Sequence, residues 1–343
     1  MPTRRSFLSV AGLAPFASVL DAQSRAPEGV RAVVAADGSG DFQTIQRAVD
    51  HVLDKPARGP INRVILEIRP GVYRERVKIP QNMPPVSLLG RDAASTIISF
   101  SMSAKEAGGT FFSSIVEVNC PAFEAVNVTF ENAFGVGSQA VAISIHSDRA
   151  RFHKCRFLGW QDTLYAAAGR QYYTDCRIEG HVDFIFGNAA AVFDGCEIRS
   201  RGAGYVTAHS RTAADMPTGY VFRNCRLTGE PGLLEPPPKT GEAEVPFPPK
   251  ASGKGVFLGR PWRPYARVVF LDCWMGEHIS PEGWDNWRNA ENEKTAWFAE
   301  LGSTGPGAKP ASRVAWAHKI TSGEAAVFAP EVFLKGGDGW NPR

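Results

Sequence analysis

Five short segments of this chain share one pattern: an aromatic residue, two variable residues, a cysteine, one variable residue and an apolar residue. They are Phe152–Phe157, Tyr173–Ile178, Phe193–Ile198, Phe222–Leu227 and Phe270–Met275. A sixth copy, Phe123–Val128, carries Val126 in the cysteine slot. The slot recurs at 126, 155, 176, 196, 225 and 273, with gaps of 29, 21, 20, 29 and 48 residues. A period near 20 residues is the mark of a solenoid. Each copy alternates apolar and polar positions like a short strand. Gly, Asn, Asp and Ser separate the copies and make turns.

A strand repeat of this length with no helical period between copies predicts an all-β chain, a single-stranded parallel β-helix. Each coil pairs with the coils above and below it. The slot then stacks coil upon coil, and the cysteines form an inward ladder of small buried side chains. A metal cluster would need closely spaced ligand pairs, which the spacing does not offer. A disulfide between adjacent rungs stays open, because stacked strands lie about 4.8 Å apart. The 48-residue gap holds Pro231 to Pro249 with seven prolines and reads as an exposed side loop. Gly40 to Asp50 reads as a short amphipathic helix capping the N-terminal end. The tryptophans at 284, 287, 297, 316 and 340 are expected to pack back on the last coils, most of them as core.

The N-terminus begins Thr3-Arg4-Arg5-Ser6-Phe7-Leu8 and continues into a mildly apolar run, Val10 to Leu20. Residues 1–22 are expected to be a twin-arginine signal peptide. The catalytic domain would be residues 23–343, periplasmic or secreted. The apolar run falls short of the roughly 20 residues that span a bilayer, so no membrane anchor is expected. The formal charge is +3, and removing residues 1–22 leaves +2. With no basic tract, nucleic acid is not an expected partner. The sequence carries no oligomerisation signal, and a monomer is expected.

Asp162 lies seven residues after Cys155, and Asp183 seven residues after Cys176. The two carboxylates therefore fall at equivalent positions one coil apart. Facing the same way, they would sit about 5 Å apart, close enough for their titrations to couple. Two readings stay open: a catalytic pair, or two turn aspartates that share a register. Gln161 adjoins Asp162, and Gln139 lies 22 residues before it. Such an amide column could donate hydrogen bonds to a developing oxyanion. Arg260 could keep one aspartate ionised. His181, two residues before Asp183, is a weaker candidate. The chain has no Gly-x-Ser-x-Gly elbow, no His-Glu-x-x-His and no phosphate loop.

Taken together, these segments resemble the pectinesterase (pectin methylesterase) family from about Val33 to Trp340. The most specific matches are Gly159 to Tyr165 (GWQDTLY), Val182 to Asn188 (VDFIFGN) and Leu258 to Trp262 (LGRPW). Gly71 to Glu75, Gly109-Thr110-Phe111 and Gln139 to Ala142 support them. The resemblance implies a right-handed β-helix with an open lateral groove, and methylesterified homogalacturonan (pectin) as substrate. It implies Asp183 as nucleophile, Asp162 as general acid and then base, Gln161 and Gln139 at the oxyanion, and Arg260 holding Asp183 ionised. Thr110, Tyr165, Phe186 and Trp262 would contact the sugar. No metal and no cofactor are implied. Ser147, His181 and Leu301 depart from the family's usual residues, outside the catalytic set.

Paired carboxylates on a β-helix also suit a polygalacturonase, and the scaffold suits a pectate lyase or a non-catalytic carbohydrate binder. The glutamine column and LGRPW favour the esterase. Another acyl substrate stays open.

Overall fold

The computed structural model describes residues 30–54, 62–231, 233 and 255–343. The expected signal peptide and most of the proline-rich loop lie outside the described residues. The chain winds as a right-handed parallel β-helix. One face is a sheet of eleven parallel strands, from Val30–Val34 to His318–Lys319. The rest of each coil forms two shorter strands, such as Arg156–Leu158 and Leu164–Ala166. In two coils these merge into the long strands Arg177–Gly187 and Glu197–His209. The second and third faces therefore join as one sheet.

The repeat is explained by stacking. Phe152, Tyr173, Phe193, Phe222 and Phe270 are partners in register on successive coils. Their rings stack at 4.8, 4.6, 4.5 and 4.5 Å between centroids, close to the strand spacing itself. The five slot cysteines are buried free thiols. Each S–H donates to a backbone carbonyl of the coil before, at 3.3 to 3.6 Å. A small side chain with a weak donor fills that position without leaving a buried polar group unpaired. Cys120, outside the repeat, is buried and free as well.

The sixth copy needs a correction of two residues. Phe152 pairs with Ala125, not with Phe123, so the slot on that coil is Val128, fully buried, while Val126 is only half-buried. The reason is a turn. The residue before each slot adopts a left-handed backbone: Asn127, Lys154, Asp175, Gly195, Asn224 and Asp272 all have φ between 52° and 67°. That single residue bends the chain from the first face to the second. Gly, Asn and Asp tolerate it best. Asn127 thus marks Val128 as the slot.

The N-terminal helix spans Ile45–Asp54, later than expected, because Phe42 forms a bridge with Val34 and keeps the preceding residues extended. Ile45, Ala48 and Val49 face the core. The Glu75 carboxylate accepts hydrogen bonds from the N–H groups of Ile45 and Gln46, capping the helix start. At the other end Trp284 is core, and Trp297, Trp316 and Trp340 pack against buried clusters. Trp287 packs instead against the small cluster of Val141, Phe186 and Ala208.

Candidate active site

Asp162 and Asp183 occupy the corner between the second and third faces. Leu164 pairs with Ile185 and Tyr165 with Phe186. The Asp162 N–H donates to the carbonyl of Val182 at 3.1 Å. The two aspartates are therefore neighbours on adjacent coils, as the 21-residue offset predicts. Both have a left-handed backbone, φ 63° and 51°. Asp is among the few residues that tolerate this, and such conformations concentrate at functional sites. At Asp183 the bend is built into the long strand, whose pairing slips between Gly180 and Ile185. Gly180 makes that slip feasible: a Cβ there would lie 2.2 Å from the Phe184 Cβ and 2.6 Å from the Trp160 carbonyl oxygen.

A cleft of about 350 Å³ opens over the pair. Thr110, Gln139, Gln161, Asp162, Asp183, Phe186, Arg260 and Trp262 all line it. Tyr165 stands beside the lining, stacked on Phe186 at 4.6 Å. Gln139 and Gln161 stay in one column because the Ala140 N–H bonds the Gln161 carbonyl. Neither carboxamide is engaged by another described residue. The segment bearing Thr110 is pinned from below. The Asn132 amide donates to the carbonyls of Met102, Ser113 and Val141, and the Ser113 hydroxyl accepts from the Val141 N–H.

Arg260 donates from Nε and Nη2 to the two Asp183 oxygens, at 2.9 and 2.6 Å. Its guanidinium lies 3.8 Å from the ring centroids of both Tyr205 and Trp287. Four residues in register, Tyr165, Phe186, Ala208 and Arg260, form one outward column. Ala208 is the small member, and it leaves room for Arg260 to lean back across a coil towards Asp183.

Burial and the nearby Asp183 charge hold the Asp162 carboxyl well above the usual aspartate range, with a smaller lowering from Arg260. Asp183 differs from expectation. Burial raises it, the Arg260 hydrogen bonds and charge pull it back, and Asp285 adds a smaller rise. The net is upward, because desolvation of a carboxylate at 6% exposure outweighs one cation. The order within the pair is still the expected one. Asp162 has no paired cation among the described residues and is raised the further, while Asp183 is held by the Arg260 fork.

His181 is buried outside the cleft lining, edge-on to Trp160 at 5.5 Å. Burial keeps it neutral, with a pKa of about 4. Sequence reasoning missed Tyr205, Trp287, Asp285 and Ala208 as members of the site. Nothing local marks the first three; they come from other coils and the C-terminal segment. Phe111 was within reach, since it adjoins Thr110 in the Gly-Thr-Phe motif. It lines the cleft and packs on Tyr165 at 5.0 Å.

A parallel β-helix with this carboxylate pair, amide column and arginine fork defines an enzyme class, and sequence comparison names it. The chain matches the Pectinesterase family over residues 31–338 and belongs to that family. It is 38% identical over 312 residues to Pectinesterase 31 of Arabidopsis thaliana, covering 88% of this chain and 91% of that one. The pectin methylesterase from carrot superposes with a TM-score of 0.80 at 36% identity, covering 91% of this chain and 95% of that one. A pectin methylesterase solved in complex with a hexasaccharide superposes with a TM-score of 0.73 at 28% identity, covering 91% and 98%. The chain spans about half the length of several plant relatives whose names join pectinesterase to pectinesterase inhibitor.

Proposed function

We propose that this enzyme removes methyl esters from the galacturonate units of pectin, releasing methanol and leaving free carboxylates on the polymer. The observation that carries the reading is the inequality between the two aspartates. Asp183 is held by a bidentate arginine, and Asp162, buried with no paired cation among the described residues, is pushed well above the usual aspartate range, which supports an ionised Asp183 beside a protonated Asp162. Acyl transfer through a carboxylate nucleophile needs one of each.

Asp183 attacks the ester carbonyl, and the carbonyl oxygen becomes an oxyanion. The free carboxamides of Gln161 and Gln139 donate hydrogen bonds to it. As the tetrahedral intermediate collapses, the C–O bond to the methoxy group breaks. Asp162 gives its proton to that oxygen, and methanol departs. Galacturonyl is left as an anhydride on Asp183. Asp162, now ionised, takes a proton from water, which attacks the acyl carbon. Collapse then expels Asp183 as a carboxylate and leaves the free acid on the polymer, with Asp162 already carrying the proton it took from water. Phe111, Tyr165, Phe186 and Trp262 offer ring faces to the sugars, with Thr110 at the cleft rim.

Residues 1–22 act as a twin-arginine export signal, and the domain works as a monomer outside the cytoplasm. No helix among the described residues is long and apolar enough to cross a membrane.

The test is methanol release from highly methylated pectin by purified residues 23–343, with polymer length followed in parallel. Methanol without shortening supports the reading. Shortening with new reducing or unsaturated ends, or no methanol from folded protein, refutes it.

A further inference from the structure

Trp287 has a backbone that its side chain disfavours. Its φ is 59°, and Arg288 follows at 57°. The left-handed region is an outlier for a bulky residue. Such conformations persist only where the surroundings over-determine them, and they concentrate at functional sites. Here the ring of Trp287 lines the cleft and lies 3.8 Å from the Arg260 guanidinium.

The segment is anchored on both sides of the outlier. Upstream, Trp284 is core and bridges Gly259, and the Asp285 N–H donates to the Gly259 carbonyl at 3.1 Å. Gly259 precedes Arg260 in the same strand, so the segment is tied to the element that carries the arginine. Downstream, the Asn286 carbonyl accepts from the Asn289 N–H at 3.2 Å and from the Asn292 side chain at 3.1 Å. The Asn286 amide donates to Glu293 at 2.7 Å. Between these anchors, one side chain spans the outlier itself. Asp285 Oδ1 accepts from the Trp287 N–H at 2.7 Å, the Asx turn that Asp and Asn form with their own backbone. Arg260 gives its ion pair to Asp183, and Asp285 gives its oxygen to the backbone of the residue that covers Arg260.

We propose that Asp285 is a positioning residue for the esterase reaction. It locks Trp287 in the left-handed turn. The Trp287 ring then holds the Arg260 guanidinium against Tyr205, and the guanidinium aligns the Asp183 carboxylate. The role rests on the reading of Asp183 as nucleophile given above and extends the machinery beyond Arg260, to a side chain that touches neither the ester nor Asp162.

The test compares Asp285→Asn with Asp285→Ala. Both remove the charge, and only asparagine keeps an oxygen that accepts the Trp287 N–H, so the difference between them isolates the turn. In crystal structures of the variants, the Trp287 ring should stay on Arg260 with asparagine and leave it with alanine. For methanol release from methylated pectin, kcat/KM should be about 2- to 10-fold lower with alanine than with asparagine, the worth of one neutral hydrogen bond. A loosened Arg260 lowers the Asp183 pKa less, so the acid limb of the pH–rate profile should lie at higher pH with alanine than with asparagine. In a Trp287→Ala background the two variants should coincide. If the ring keeps its place in Asp285→Ala, or if alanine and asparagine differ equally with and without Trp287, the proposal is overturned. If the wild type releases no methanol, the pectin reading has failed instead, and the two crystal structures still decide the lock.

Discussion

Arg260 grips both oxygens of Asp183 from two coils away, held between the rings of Tyr205 and Trp287. The rings fix the plane of the guanidinium, and the plane fixes the carboxylate. A lysine at this position retains charge but loses the two-point grip and the stacking. Arg260→Lys should lose about 10- to 100-fold in kcat/KM, the effect of hydrogen bonds to a charged group. Arg260 lowers the Asp183 pKa, so its loss raises that pKa, and the acid limb of the pH–rate profile should move to higher pH. An unmoved acid limb would count against Asp183 as the group that must be ionised.

Asp162 gives a prediction in which activity and stability part. Its folded pKa is well above its unfolded value of about 3.9. The folded state therefore binds this proton more tightly. The associated stability is full below about pH 4 and is lost as pH rises through the folded pKa. Asp162→Asn removes the charge that must otherwise form in the cleft, and Asn tolerates the left-handed backbone. The variant should lose about 10²- to 10⁴-fold in kcat. It should gain Tm relative to wild type as pH rises from 4 to 8. A melting series against pH checks the sign; a variant less stable than wild type at pH 8 would contradict it.

Gln161→Ala should reduce kcat by about 10²- to 10³-fold with little change in KM, since the oxyanion exists only after attack begins. Gln139→Ala, one coil further from Asp183, should have a smaller effect. Steady-state kinetics of the two variants settle the order, and a pure KM effect would reassign Gln161 to ground-state binding.

The cysteine ladder should be silent towards a thiol reagent in the native enzyme and fully reactive in denaturant, yielding all six thiols. Burial pushes the thiols of Cys176, Cys196, Cys225 and Cys273 well up, away from the reactive thiolate. Fewer than six thiols after denaturation without reductant would reveal disulfides between rungs.

Replacing Arg4 and Arg5 together by lysine should hold the full chain in the cytoplasm, because a twin-arginine address is read by its receptor and not by charge alone. Fractionation followed by immunoblot reads the result; unimpaired export of the double variant would remove the assignment.

The sequence by itself determined the period, the inward cysteine positions, and the alignment of Asp162 with Asp183. Each depends only on counting residues from the slot within a coil, and stacked coils keep that register even where the gaps between slots differ. Counting failed by two residues at Val126, where cysteine was absent and only the left-handed Asn127 marked the corner. Three things were decided by tertiary structure. The aromatic clamp around Arg260 draws Tyr205 and Trp287 from distant segments, and no spacing joins them. The balance at Asp183 turns on how deeply the carboxylate is buried, because desolvation there exceeds the pull of its arginine. The column of Tyr165, Phe186, Ala208 and Arg260 emerges only when strands distant in sequence stack in register. Packing in three dimensions sets local dielectric and long-range contact, and neither is written in any one stretch of chain.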